Sequence, residues 1–349
     1  MNARYHYCPQ LKIYDHIGFK WIPHLMFMNN PNFRSEECNT DIYGLRFNSK
    51  KFLSTEQKSI FDQKIDKKKS LMVGSSTTFG VGATTDEKTI PAILSDKSDN
   101  FFFNFGGRAF NGFQEFVLTE LMINKTNNID KILLYSGMND VYMSYNESFI
   151  SSFPGPFYFN SNFLNNMEDS TLNLNRKLLK FFLPNLDIDY KNVTKKDLII
   201  HLFSNKKNIK NNKKTFFPKI DLDEIVSRNI RLWKVFSKSL NIEITFFLPP
   251  FLPWCKSEKN FTKEEEEINS YIKSTKEAKN TTYFEIMEND YKKIVSLFKD
   301  NCEKNEIKFF DCNSLFQLKE NNNKWLFVDK VHLTDYGNEL ISNFILDKI

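Results

Sequence analysis

From residue 70 to the end of the chain, short apolar runs alternate with longer segments in which apolar residues recur at a helical period. This pattern is typical of a parallel sheet that is covered by helices. The apolar runs predict five strands, at residues 70–74, 101–105, 131–135, 242–248 and 307–311. The amphipathic segments predict helices at 87–97, with Pro91 in the first turn, at 113–124, and at 334–346, with Thr334 as N-cap. The predicted fold class is therefore α/β, with a mostly parallel five-stranded sheet.

Two parts of the chain do not follow this alternation. Residues 1–69 are polar and aromatic without a clear period, so they are interpreted as an N-terminal extension to a main domain at 70–349. Within the extension, the segment 41–48 predicts a turn or short hairpin around Gly44. The connection between the third and fourth predicted strands holds an insertion at about 147–219, and long insertions are often lids or binding loops. A second long connection, 251–304, is charged and helical in pattern.

Composition and charge exclude several classes of protein. The net charge of +5 is small for 349 residues, and the lysine-rich stretch at 206–219 predicts a solvated loop, so we expect no nucleic-acid partner. The amino-terminal residues lack the apolar stretch of a secretory signal, and no run of 18 apolar residues predicts a membrane span. Five scattered cysteines without metal or redox spacing predict buried, reduced thiols in a cytoplasmic protein: Cys8, Cys38, Cys255, Cys302 and Cys312.

The first candidate for chemistry is a serine that follows the first predicted strand, in Val73-Gly74-Ser75-Ser76-Thr77-Thr78-Phe79-Gly80. Gly74 and Gly80 bracket a tight strand-to-helix turn, which places Ser76 where backbone amides point outward. A serine hydroxyl is a weak nucleophile until a base takes its proton, so this interpretation requires a histidine. The alternative is that these hydroxyl residues only cap the next helix.

The candidate base is His332, near the end of the chain, with Asp329 three residues before it. This offset lets the carboxylate turn back onto Nδ1 of the imidazole and leaves Nε2 for the serine. The alternative is a partly buried structural histidine beside a surface aspartate. The other four of the five histidines lack comparable surroundings, which favours the catalytic interpretation.

Two more segments follow predicted strands and offer hydrogen-bond donors. Ser136-Gly137-Met138-Asn139-Asp140 contains Asn139, whose side-chain amide is a candidate oxyanion donor, although it is also suited to a helix N-cap. Asn104-Phe105-Gly106-Gly107-Arg108-Ala109-Phe110-Asn111-Gly112 is a glycine-rich turn that presents backbone N–H groups at a helix start. In an open α/β sheet, ligands bind outside the carboxyl ends of the strands, so we expect these segments to converge.

Together, the four segments resemble the blocks of the SGNH, or GDSL-type, hydrolase superfamily. The segment 74–80 is similar to the first block, with Ser76 as nucleophile and Ser75 in place of the family's aspartate. The segment 104–114 is similar to the second block, with Ala109 at the position of the oxyanion glycine and Gly107 as a second alignment. Gly137-Met138-Asn139-Asp140 matches the third block, and Asp329-Lys330-Val331-His332 matches the fifth.

The resemblance implies a flavodoxin-like three-layer α/β/α sandwich and ester hydrolysis without metal or cofactor. It further implies a triad of Ser76, His332 and Asp329, with oxyanion donors from the Ser76 and Ala109 amides and the Asn139 side chain. The predicted substrate is an ester of a short acyl group such as acetyl, carried by a small molecule or a carbohydrate. Two alternatives stay open: a sugar O-acyltransferase with the same triad, and a non-catalytic carbohydrate-binding protein, against which the intact triad argues.

Overall fold

The computed structural model describes residues 2–53, 58–145, 157–158, 221–274 and 287–349. The predicted insertion at 147–219, including its lysine-rich stretch, lies outside the described residues apart from Phe157 and Tyr158.

The described residues contain two sheets. A short antiparallel hairpin pairs β1 (Phe19–Ile22) with β2 (Met26–Asn29). The central sheet is parallel throughout, with the strand order β4-β3-β5-β6-β7. Its strands are β3 (Lys68–Gly74), β4 (Asn100–Gly106), β5 (Ile129–Tyr135), β6 (Glu243–Leu248) and β7 (Lys308–Asp311). Counted from the first strand of the central sheet, this order is 2-1-3-4-5, the flavodoxin-like order, so the predicted fold class is confirmed.

Alternating residues of the central strands face two different helix layers. Leu71 and Val73 of β3 belong to one core cluster together with Trp233 and Phe298. The intervening Met72 belongs to a second cluster with Leu94 and Ile341. Because successive side chains of a strand point to opposite faces, the sheet is the middle of three layers. Both faces are covered, which explains why its strands are continuous apolar runs.

The helices of the described residues form these two covering layers and the rim of the sheet. On one face lie α5 (Gly112–Met122), α7 (Leu222–Leu240) and α10 (Tyr291–Lys304), and on the other lie α4 (Ile90–Lys97) and α12 (Asp335–Leu346). The remaining helices are α1 (Ala3–Tyr7), α2 (Leu11–His16), α3 (Ser76–Phe79), α6 (Met138–Tyr145), α8 (Leu252–Cys255), α9 (Lys263–Ser274) and α11 (Asn313–Phe316).

The predicted element boundaries are close to those observed. The helix predicted at 87–97 begins only at Ile90, because Pro91 occupies its first turn and Asp86–Lys88 forms a 3-10 turn before it. The last helix begins after Thr334, whose side chain accepts a hydrogen bond from the Gly337 amide as predicted for an N-cap.

The N-terminal segment packs on the edge strand β4. Leu25, Phe27 and Phe47 are fully buried in the same cluster as Phe103 of β4. Arg46 also forms an antiparallel bridge with β4, which covers the strand's outer edge. The predicted turn at 41–48 is present, with Gly44 at φ +87° and its amide donating to the Asp41 carbonyl at 3.1 Å.

Candidate active site

Ser76 is the first residue of α3, and only Ser75 separates it from the carboxyl end of β3. The turn is tight: a Cβ on Gly74 would lie 2.2 Å from both Thr78 Oγ1 and the Tyr135 carbonyl oxygen. The helix has only four residues and ends at Gly80, which has φ +88°. Ser75 occupies the N-cap position but makes no side-chain capping hydrogen bond, so helix capping does not account for this run of hydroxyl residues. The turn therefore holds Ser76 at the carboxyl edge of the sheet.

Ser76, His332 and Asp329 form one continuous chain of hydrogen bonds. The distance from Ser76 Oγ to His332 Nε2 is 2.7 Å, and the distance from His332 Nδ1 to Asp329 Oδ2 is also 2.7 Å. Because the carboxylate accepts, Nδ1 carries the proton and Nε2 accepts from the serine hydroxyl. The structure thus brings together three residues that span more than 250 positions of the sequence, as the separation of 256 between Ser76 and His332 shows.

Backbone amides fix the orientation of Asp329. Its Oδ1 accepts from the Val331 amide at 2.9 Å and from the His332 amide at 2.8 Å, so the loop closes on its own carboxylate. Burial pushes the pKa of the Asp329 carboxyl upward, but the charge and hydrogen bond of His332, together with Arg4, hold that pKa well below its usual range. Asp329 is therefore an ionised partner for the imidazole.

Ala109 adopts a conformation that is typical of glycine. It has φ +61°, in the left-handed region, at the position where the second family block has a glycine. The second alignment, Gly107, is disfavoured, because the Gly107 amide donates to the Gly74 carbonyl at 3.0 Å and is thus occupied. Of the two alignments, Ala109 is the one compatible with an oxyanion donor.

Asn139 lies in the first turn of α6 as its second residue, so the interpretation as an N-cap residue is wrong. Its Nδ2 donates to the Phe110 carbonyl at 2.7 Å. The next residue, Asp140, accepts from the Gly112 amide at 3.0 Å. These two hydrogen bonds join the start of α6 to the turn that carries Ala109, so the candidate oxyanion donors are held relative to each other.

A buried acidic pair lies under this junction. Burial raises the pKa of the Asp140 carboxyl to about 6, against the hydrogen bond from Gly112 and the charge of Arg228. Burial also raises the pKa of Glu115 well above its usual value, and the Ser136 hydroxyl donates to this carboxyl group. Asp140 was visible in the sequence as part of the third block, whereas the position of Glu115 gave no signal.

Two ion pairs that were not predicted hold the loops of the triad. Arg46 and Asp86 are both fully buried, with Arg46 Nε 2.7 Å from Asp86 Oδ1, and Arg46 also donates to the carbonyls of Phe79 and Gly80 at the end of α3. Glu265, paired with Lys256 at 2.9 Å, accepts from the amides of the segment that leads to Asp329, at Leu326 and Phe327. Arg46 and Asp86 are 40 positions apart, and Glu265 is 61 positions from Leu326, so no local pattern signals these contacts.

A cavity of about 390 Å³ adjoins the triad, and both Asn139 and Asp329 line it. Much of its wall is aromatic: the rings of Tyr142 and Tyr158 are stacked at 5.7 Å with an angle of 11° between planes. The remaining lining residues are Asn2, Arg4, Met138, Phe251, Tyr271, Ile272, Met287, Lys330 and Val331. The strand residues Phe246 to Leu248 are buried in the core as predicted, whereas Phe251, just beyond that strand, lines this cavity.

A larger cavity of about 760 Å³ lies beside α4 and α12. Side chains of both charges line it, among them Lys64, Lys67, Lys97, Glu87 and Glu339. None of the predicted site residues lines this cavity. The candidate site residues Asn139 and Asp329 line the smaller cavity instead.

The described part of the chain gives no sign of a metal site or a membrane span. In these residues no group of three or more His, Cys, Asp or Glu side chains is placed to hold a metal ion. None of the described helices combines the length and apolarity that crossing a bilayer requires. All five cysteines are buried and unpaired with one another, as predicted.

Comparisons with known proteins give structural similarity alone. No protein-family model matches the sequence, and no curated protein is significantly similar to it. Among solved structures, the acetyl xylan esterase AlAXEase is 13% identical, with 80% of this chain and 99% of that chain covered and a TM-score of 0.42. A lipolytic protein of the G-D-S-L family from Veillonella parvula is 11% identical, with 80% and 96% covered and a TM-score of 0.41. A lipase/acylhydrolase from Enterococcus faecalis is 10% identical, with 81% and 95% covered and a TM-score of 0.40.

At such low identities and TM-scores, the similarities establish neither the activity nor the substrate of this chain. The hydrogen-bonded chain from Ser76 to Asp329 is the observation from which its chemistry is inferred.

Proposed function

We propose that this chain is a serine esterase, which hydrolyses an ester of a short acyl group through an acyl-enzyme. The observation that carries the proposal is the chain of two 2.7 Å hydrogen bonds from Ser76 through His332 to Asp329. A serine becomes nucleophilic when a base oriented by a third group is within this reach.

The first half of the reaction forms the acyl-enzyme. Ser76 Oγ attacks the ester carbonyl carbon while its proton passes to His332 Nε2, and Asp329 stabilises the imidazolium. The negative charge that develops on the carbonyl oxygen is stabilised by the Ser76 and Ala109 amides and by Asn139 Nδ2. When the tetrahedral intermediate collapses, the carbon–oxygen bond to the alcohol breaks, and the alcohol leaves with the proton from His332.

The second half of the reaction releases the acid. A water molecule gives a proton to His332 Nε2 as its oxygen attacks the acyl-enzyme carbonyl. Collapse of the second intermediate breaks the bond to Ser76 Oγ, and the serine recovers the proton from His332. The enzyme is then in its starting state, with no metal or cofactor needed in either half.

The lining of the cavity favours a carbohydrate as the alcohol part of the ester. Its volume of about 390 Å³ is far more than an acetyl group fills, so the larger part of the substrate is expected to occupy it. The flat rings of tyrosines such as Tyr142, Tyr158 and Tyr271 suit packing against the apolar faces of sugar rings. Their hydroxyls can form hydrogen bonds with the sugar hydroxyl groups.

A second candidate is acyl transfer to a sugar hydroxyl. It is supported by Tyr158, a residue of the insertion, which lines the cavity beside Asn139. Exclusion of water from the site would favour transfer over hydrolysis. Addition of xylose or N-acetylglucosamine to a p-nitrophenyl acetate assay separates the two: transfer yields an acetylated sugar, whereas hydrolysis yields only acetate.

The test of the proposed function is hydrolysis of p-nitrophenyl acetate and p-nitrophenyl butyrate by the purified wild type and by Ser76→Ala. The matched control is Ser257→Ala, an exposed serine outside the site. Activity in the wild type and control that is lost in Ser76→Ala supports the esterase, and the acetate-to-butyrate ratio measures the room for the acyl group. Equal activity in Ser76→Ala would exclude the proposed nucleophile.

A further inference from the structure

The N-terminal segment, which lies outside the blocks that resemble the family, contributes a charge to the triad. Arg4, in α1, places a guanidinium nitrogen 3.9 Å from Asp329 Oδ2. This is the same carboxylate oxygen that accepts from His332 Nδ1. Arg4 also lines the cavity, together with its neighbour Asn2. One residue of the N-terminal helix therefore borders both the triad acid and the space for substrate.

Contacts on both sides hold Arg4 in this place. Its guanidinium is 3.3 Å from Asp15 Oδ2, and this same oxygen accepts from the Tyr5 hydroxyl at 2.6 Å. The side chain is 23% exposed, so solvent screens its charge only in part. Arg4 is thus an ordered partner of Asp329 and not a mobile surface side chain.

The loops around the triad also depend on this segment. Gln10 donates to the Gly82 carbonyl at 2.8 Å, and the Tyr14 hydroxyl donates to the Ala83 carbonyl at 2.7 Å, so both contact the loop that follows α3. On the other side, Cys8 packs in one buried cluster with Val328, next to Asp329. The N-terminal segment therefore contacts the loop of the nucleophile and the loop of the acid.

The position of Arg4 has an electrostatic consequence. The negative charge of Asp329 acts on the adjacent imidazole of His332, and a cation on the far side of the same carboxylate offsets part of that charge. The other charged and titratable groups that surround this region are Asp15, Tyr5 and Cys8 of the N-terminal segment, Tyr271 of α9, Glu288, Lys330 and Asp335. Of the described lysine and arginine side chains, Arg4 is the one within ion-pair distance of Asp329.

We propose that Arg4 is a positioning residue of the triad, which acts through Asp329 and thereby changes how the reactivity of Ser76 depends on pH. The inference rests on the proposed function, since it concerns the same triad. It predicts that the reactivity of Ser76 depends on a residue of the N-terminal helix.

The test measures the rate at which a fluorophosphonate probe modifies Ser76 between pH 5 and pH 9, which requires no knowledge of the natural substrate. In Arg4→Gln, the acid limb of this profile is expected to move upward by about 0.5–1 pH unit, the size of one screened charge a few ångströms away. At pH 6 this corresponds to a rate lower by roughly 3- to 10-fold, while the rate at pH 9 stays close to that of the wild type. Arg4→Lys, which keeps the charge, is expected to restore much of the wild-type profile.

Two controls separate this effect from damage to the fold. Lys12→Gln removes an exposed charge of the same sign from the same segment and is expected to leave the profile unchanged. Thermal unfolding of each variant shows whether the N-terminal helix has detached. An Arg4→Gln profile with an unmoved acid limb, or with an equal loss of rate at every pH, would overturn the role of Arg4. Absence of labelling in the wild type would instead overturn the proposed function, and the role of Arg4 with it.

Discussion

Replacement of Arg46 by methionine is expected to destabilise the protein strongly and to reduce its activity, although Arg46 does not contact the cavity. Its side chain and that of Asp86 are both fully buried, with 0% exposure each. Removal of one partner of a buried ion pair typically costs about 3–5 kcal/mol, because the other charge is left without compensation. The carbonyls of Phe79 and Gly80 lose their donors as well, at about 1 kcal/mol each or more.

The expected loss of about 5 kcal/mol is a large part of the stability of an ordinary domain, roughly 5–15 kcal/mol. Urea unfolding followed by circular dichroism measures this loss. With the dependence of unfolding free energy on urea concentration that is typical of a protein this large, the unfolding midpoint is expected to fall by about 1–2 M. Arg46→Met/Asp86→Asn is expected to recover part of the loss, since no charge is then buried alone. The control is Arg231→Met, on the exposed face of α7. A loss below about 1 kcal/mol in Arg46→Met would refute the claim that the buried ion pair stabilises the end of α3.

Three further substitutions test separate parts of the site. Asn139→Ala is expected to lower kcat by about 10²–10³, since it removes one oxyanion donor, and to lower the free energy of unfolding by only about 1 kcal/mol through the lost hydrogen bond to the Phe110 carbonyl; normal turnover would remove Asn139 from the site. Ala109→Gly is expected to raise the free energy of unfolding by about 0.5 kcal/mol in urea, because relief of a left-handed alanine slightly exceeds the added entropy of the unfolded chain; a clear loss would contradict the φ of +61°. Asp140→Asn tests the buried acid. Its folded-state pKa of about 6 lies above the ordinary 3.8, so the stability it contributes is present below pH 4 and lost as the pH rises through 6. Urea unfolding from pH 4 to pH 8 should therefore show wild type losing about 3 kcal/mol relative to Asp140→Asn, and parallel curves would contradict the buried position.

Much of the fold was predictable because its signals are local. Most of the central strands are apolar runs buried on both faces, as in Phe101-Phe102-Phe103 of β4, whereas the edge strand β7 is only partly buried. The positions of two candidate site residues were predictable for a related reason: strand ends carry chemistry in this fold class, and Ser76 and Asn139 follow β3 and β5, the two strands at the point where the strand order reverses.

The remainder of the site depends on contacts between distant segments. Arg4 meets Asp329 across 325 positions, and Arg46 meets Asp86 across 40. Asp329 belongs to a recognisable block, but no periodicity or motif marks Arg4, Arg46 or Asp86. The N-terminal segment lacks a helical or strand period because β4 and the active-site loops order it from outside. Such pairings are a property of the folded chain and have no signature in a single sequence.

The most direct test of the central claim is to map the site of covalent modification by a fluorophosphonate probe with mass spectrometry. The account predicts one adduct, on Ser76, in the wild type and none in Ser76→Ala. It also predicts that His332→Ala slows the modification by several orders of magnitude, since the base that takes the serine proton is gone. Modification of a different residue, or equal labelling of Ser76 in His332→Ala, would contradict the assignment of the triad.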